Sequence, residues 1–412
     1  MDFPWKPLRR APGNKSLGFF ILLLVVLGSC TRETILPVVR ENLFILDIGR
    51  LEDQIDLFGL EGPRSSRKTR IAMRDGIFYV SNGNGGKLVR YTSYGDLLSM
   101  IYNPETNPPP LTLRTDTDST EMVTRKAVAY PLNEPGELAV DSRKHLYLED
   151  RLPQERRSFD SLGRSLLDSL VLHFDPDGKF LEYLGQEGLG GTPFPRISGI
   201  YPTIRDEIAV VCRQPSGWNV YWFDHEGNSL FLVRIGNADL PRAPGREGRP
   251  SLDSVIAAPD GRQLYLKIDY YRDTIDESTK TKSGIAFDGS IVWVMDVEDG
   301  TYLGSIAVPV FEQTVVENDK KVAMESIYSL VGAAADGQIF LAVPSEGGLS
   351  LLILETDSQN QTRGFMGIEE DELKFNTFHL STDGILSGIL ASDWEARVVW
   401  WRTDRFIGDL RR

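Results

Sequence analysis

Two cysteines and four histidines are all that this 412-residue chain offers for a disulfide framework or for imidazole-rich metal sites, and neither is enough. Positive charge is also short. Lys and Arg number 45 against 59 Asp and Glu, a formal charge of −14, so a phosphate backbone is repelled unless a strong local basic patch intervenes. The basic clusters at 64–68 and 156–157 are short and diluted by acids, and read as solvated loop charge. No nucleic-acid partner is expected. Long apolar runs are nearly absent: the stretch 17–27 holds eleven residues, about half of what a membrane-spanning helix needs. What remains, 41% hydrophobic and 25% charged residues, is the composition of a globular protein. It excludes a collagen-like fibre, a disordered tail and a polytopic membrane protein.

The N-terminus stands apart from the rest. Lys6, Arg9, Arg10 and Lys15 precede the apolar run, with Asp2 the one acid before it. Basic, then apolar, then small is the layout of a secretory signal. The segment ends Leu27-Gly28-Ser29-Cys30, which resembles the lipobox of bacterial lipoproteins, although Gly28 is less usual at its position. The resemblance implies cleavage before Cys30 and acylation of its thiol, palmitate among the chains. It further implies residence in the cell envelope, on the extracytoplasmic side of a bacterial membrane. The expected organisation is therefore a signal peptide at 1–29, a lipidated tether at 30–42 and a folded body at 43–412. Removing 1–29 takes away four Lys or Arg and one Asp, moving the charge from −14 to −17. Cys212, beside the apolar run 208–211, then reads as a small buried hydrophobe.

Within the body one pattern recurs: an Asp or Asp-Gly turn followed by an apolar strand. It begins at Asp75-Gly76, at Asp141, at Asp206, at Asp260-Gly261, at Asp336-Gly337 and at Asp383-Gly384. A second pattern follows, a strand and then a tight polar turn, as at Asp175-Pro176-Asp177-Gly178 and Asp224-His225-Glu226-Gly227. Asp accepts from turn amides and Gly supplies the positive φ of a tight hairpin. Inner strand, turn, central strand, loop, third strand, turn and outer strand make one four-stranded antiparallel blade. Six copies predict an all-β, six-bladed propeller. The strand at 43–48 is expected to join the blade built from 375–412 and close the ring, leaving no free edge. Residues 151–170 are the one stretch expected to form a short helix.

The residues Phe78-Tyr79-Val80-Ser81-Asn82 through Leu88-Val89-Arg90-Tyr91 and Gly95 resemble an NHL repeat. So does the stretch from Leu184-Gly185-Gln186 to Phe194-Pro195, leading to Ile200. Nearly the whole body is similar to NHL-like propeller lipoproteins of spirochaetes. That resemblance implies a fold and carries no catalytic residue with it.

In such a ring the hairpins joining strands one to two and three to four share a face, and here they are all tight. The long insertions, 103–125, 150–169, 269–288 and 309–325, all fall on the opposite face, where binding loops usually reside. The expected function is a membrane-anchored binding or scaffold module recognising an envelope protein, peptide or glycan on that face. Trp218 and Trp394, in shorter loops there, are candidate anchors. The alternative is a metal-dependent hydrolase of the lactonase or esterase kind. Glu137, Asp253 and Glu325 near the inner strands, with Asn376, would offer Ca²⁺ an oxygen set at the central channel. No nucleophile elbow accompanies His145, His173, His225 or His379. The glycines at 83–86 lie between strands, without the helix N-terminus that phosphate binding uses.

Overall fold

The computed structural model describes residues 35–58, 67–115, 125–161, 163–185, 191, 193–317, 320–358 and 360–410. The expected signal peptide and Cys30 lie outside the described residues. From Pro37 onward the chain forms one compact unit, a six-bladed propeller of antiparallel sheets. The inner strands, in blade order, are Thr69–Arg74, Pro135–Val140, Ile197–Pro202, Arg249–Ala257, Ser329–Ala333 and Phe375–Leu380. In the sixth blade the order runs inward from Arg40–Asp47 through Glu395–Trp401 and Leu386–Ala391 to the inner strand. Arg40 pairs with Trp401 and Asp47 with Glu395. The Arg40 guanidinium grips Glu372 through two 2.6 Å hydrogen bonds, which hold that carboxyl below its usual range.

Central strands are apolar on both faces because each blade is sandwiched between two others. All six residues of Leu386–Ala391 are buried. The core is therefore a ring of inter-blade layers. Trp222 and Val220 of blade three pack with Leu264 and Leu266 of blade four, and Phe78 and Val80 of blade one pack with Ile389 and Val398 of blade six. Each such side chain, fully buried, contributes roughly 1.5–3 kcal/mol.

The tight turns work as their residues imply. Asp75 and Gly76 both have positive φ, 51° and 73°, as a two-residue hairpin turn requires. Asp175 and Asp224 each accept two turn amides at 2.9 Å.

Several expectations are corrected. Among the described residues of 151–170 there is no α-helix; between the blade strands lie a single 3₁₀ turn at Gln154–Arg156 and a minute hairpin pairing Ser158–Phe159 with Leu166–Leu167. An α-helix does form at Thr403–Leu410. It is pinned by a Thr403 hydroxyl bond to the Gly384 carbonyl and by buried Ile407. Residues 269–288 are not a free loop, since the strands Gln263–Ile275 and Lys282–Asp296 run on as one long hairpin. The segment 309–325 carries a second hairpin, Phe311–Glu317 with Lys320–Ser326. The expected tether overlaps the fold, because Arg40, Glu41 and Asn42 already belong to a strand. Blade one also gains a fifth strand, Lys126–Ala129, parallel to Leu97–Tyr102.

Candidate functional site: a cavity at the junction of blades two, three and four

The ends of the second strands and the starts of the first and third strands meet on the loop-bearing face. Between blades two, three and four they leave a cavity of about 900 Å³. The insertion 152–168 forms one wall through Ser165, Leu166 and Asp168. Behind that wall lies a second hollow of about 730 Å³, and Trp218 lines both. Gly217, at φ +151°, makes the sharp turn that aims Trp218 inward, where a side chain at 217 would collide with the Ile235 carbonyl.

The floor is an ion network. The Lys68 ammonium donates to Glu149 at 2.8 Å and to the Ile197 carbonyl at 2.8 Å, and lies 3.1 Å from Glu137. Glu137 in turn accepts from Arg70 at 3.0 Å. Glu149 also accepts from the Glu137 amide at 2.8 Å and from the Ser169 hydroxyl at 3.2 Å. Burial pushes the Glu149 carboxyl up, and Lys68 opposes that only in part. Gly136 is required beside it, because a Cβ there would overlap the Glu149 carboxylate. Lys68 and Glu149 face the lateral cavity, whereas Arg70 and Glu137 face the central channel. The network is thus a partition between the two spaces.

The channel itself holds about 170 Å³ and is lined by the inner strands of all six blades. His379 edges it. Its Nδ1 accepts from the Met73 amide at 3.3 Å, which leaves the proton on Nε2. Burial alone pulls its pKa down to about 4.

The candidate metal ligands do not come together. Glu137 is held by Arg70 and Lys68. Asp253 lies 3.1 Å from Lys267. Glu325 is not near an inner strand; it stands exposed on the hairpin, across from Glu312. Asn376 is exposed on the inner strand of blade six. Among the described residues no three His, Cys, Asp or Glu side chains are placed to share a metal ion.

Of the two tryptophans, Trp394 is 85% exposed at its loop tip, whereas Trp218 is 6% exposed and lies under the Arg213 guanidinium at 5.6 Å. Cys212 is fully buried, and burial raises its thiol pKa well above the usual value. Among the residues that sequence reasoning missed, Arg196 and Arg213 matter most. They line the cavity side by side, joined by a 2.9 Å bond from the Arg213 amide to the Arg196 carbonyl. Seventeen positions separate them in the chain, and only the pairing of Ile197 with Cys212 brings them together.

No family model matches the chain, and no curated protein matches it. Among solved structures, a polysaccharide lyase is similar at 9% identity and a TM-score of 0.42, covering 90% of this chain and 100% of that one. Streptogramin B lyase aligns at 12% identity and TM-score 0.35, over 87% of this chain and 97% of that one. Regucalcin, a calcium-binding protein from Agrobacterium tumefaciens, aligns at 12% and 0.39, over 89% and 95%. At these values the likeness says nothing of reaction or ligand. The propeller assignment rests on the strand pairing described above.

Proposed function

We propose that this protein is a lipid-anchored binding propeller of a bacterial envelope, recognising its ligand on the loop-bearing face, and that its kin are the NHL-like lipoproteins its repeats resemble. The observation that carries the reading is the 900 Å³ cavity, one wall of which is the insertion of blade two. Its volume lies near the top of the roughly 300–1,000 Å³ range of small-ligand sites, and it sits on the face where loops rather than repeats set the chemistry. Exposed Trp394 on the same face supplies an apolar anchor for a larger partner.

Two further features support the anchored arrangement. Pairing of Arg40–Asp47 with Glu395–Trp401 favours reading that strand as the clasp that closes the ring. Its first residue lies at the plain-face end of the blade. Before it, buried Val38 already donates to the Phe365 carbonyl on the outer strand of blade five at 2.8 Å, so the proposed tether from Cys30 ends before residue 37. Several acyl chains on Cys30 would make the attachment stable.

The test has two arms. Labelled palmitate enters the wild type and not Cys30→Ala; equal labelling overturns the anchor. Crosslinking in envelope fractions recovers a partner with the wild type and not with Ser251→Trp, which fills the cavity from its blade-four wall. Equal recovery overturns the site.

A further inference from the structure

Resting on the reading of this cavity as the binding site, we infer that Arg196 and Arg213 form an oxyanion subsite and that the ligand is an acidic oligosaccharide. The first ground is charge. Every acid lining the cavity has a cation: Glu149 has Lys68 at 2.8 Å, Asp168 has Arg151 at 3.0 Å, and Glu134 has Arg151 at 3.5 Å. Arg196 and Arg213 differ. Both are exposed, and neither has a carboxylate within ion-pair distance among the described residues. Among the residues lining the cavity, these are the two guanidinium groups left without a counter-charge, and the Arg213 amide bonds the Arg196 carbonyl. Like charges directly opposite each other across a strand pair are destabilising, and an anion placed between them removes that repulsion while accepting charge-assisted hydrogen bonds.

The second ground is preorganisation. Arg213 lies over the Trp218 ring, and a cation–π contact limits the rotamers that binding would otherwise have to freeze. The third is the size and polarity of the cavity. At about 900 Å³ it is far larger than a lone inorganic anion, so the charged group belongs to a longer molecule. Gln214, Asn237 and Ser251 line the remainder, offering hydrogen bonds of the kind sugar hydroxyls use. The two inner edge strands that reach the cavity present Pro135 and Pro250 there, which have no amide to donate to a peptide backbone.

Calorimetric titration of the intact lipoprotein in detergent tests this with four probes: tetragalacturonate, sulfated maltotetraose, unmodified maltotetraose and a tetraglutamate peptide. Binding by either acidic sugar, with no binding by unmodified maltotetraose, is the expected result, and the stronger of the two identifies carboxylate or sulfate as the group. Arg196→Gln and Arg213→Gln each weaken that binding about tenfold, the loss of one charge-assisted contact. Arg205→Gln, on the opposite face, leaves it unchanged. Failure of both acidic sugars, equal affinity in the arginine variants, or preference for the peptide or the neutral sugar overturns the subsite. If the acidic sugars fail while Ser251→Trp still abolishes partner recovery, the subsite falls and the binding face stands.

Discussion

The central channel is small, about 170 Å³, and its walls include Ala139, Val331 and Leu380. The lateral cavity is about 900 Å³ and is lined by Lys68, Arg151, Arg196, Arg213 and three acids. Both belong to one ring, separated by a partition built from Lys68, Arg70, Glu137 and Glu149. The channel is made by the repeat. Six inner strands converge at a common radius, and packing leaves little room between them. The cavity is made by the departure from the repeat, where an insertion and three strand ends fail to meet. Polar groups collect there because strand ends, unlike strand centres, reach water. The lesson is that in this propeller the axis is structural and the opportunity for chemistry lies off it.

The largest effect should come from breaching the partition. Lys68→Met strands the Glu149 carboxylate in a buried site, and losing one partner of a buried pair costs about 3 kcal/mol or more. Because Glu149 already titrates high and would titrate higher without Lys68, its proton is retained below that raised value and lost above it. The loss of stability is therefore small in acid, grows as pH rises from the raised value of the wild type to the still higher value of the variant, and levels off above it. Urea unfolding of the variant at pH 5 and pH 8 checks this; equal losses would mean that Lys68 is not neutralising a buried charge.

The channel side has the opposite sign. His379 has its pKa depressed from 6.5 to about 4. Its neutral form supports the fold above pH 6.5, and that support is lost as pH falls toward 4, to a limit of about 3 kcal/mol. Burial and neighbouring His145 lower the pKa of His173 as well, so it adds to the same acid limb. In His379→Gln the decline in stability between pH 6.5 and 4 should be visibly shallower. An unchanged slope would remove the channel from the account.

At the rim, Trp394→Ala should alter stability by less than about 0.5 kcal/mol, as exposed positions do, while reducing partner recovery from envelope fractions. Undiminished recovery would confine recognition to the cavity. Smallest of all is the response to calcium. Glu137 and Asp253 are already engaged by Arg70, Lys68 and Lys267, so added Ca²⁺ should leave the melting temperature where it was. A rise that disappears in Glu137→Ala and Asp253→Ala would restore the metal-dependent alternative and make the channel the active region.

Much of the fold was legible in the chain. The Asp-Gly turns at 75–76, 336–337 and 383–384 mark hairpins because few residues adopt their φ values, and the apolar stretches behind them can only be central strands. The helix Thr403–Leu410 was not legible. Eight residues with Gly408 among them are too few to hold a helix on their own, and it forms because Ile407 finds a buried place against blades five and six. The long hairpin of blade four was misread as a loop since its tip is polar. The candidate site was hardly visible at all. Trp218 was noticed, but its role as a wall between two hollows depends on the turn at Gly217 and on the insertion from the neighbouring blade.

By itself the sequence determined the number of blades, the plain face with its tight turns, and the side of the ring on which insertions gather. These follow from local rules, the period of alternation and the conformational freedom of glycine, which act over a few residues. Tertiary structure alone decided which charges meet. Lys68 precedes the first blade and Glu149 lies near the end of a strand of the second, while Arg196 stands just before one strand of the third and Arg213 on its neighbour. Coulombic and hydrogen-bonding energies depend on separation in space, and separation along the chain carries almost no information about it. For that reason the cavity, and the pair of arginines that distinguishes it, came into view only when the ring was assembled.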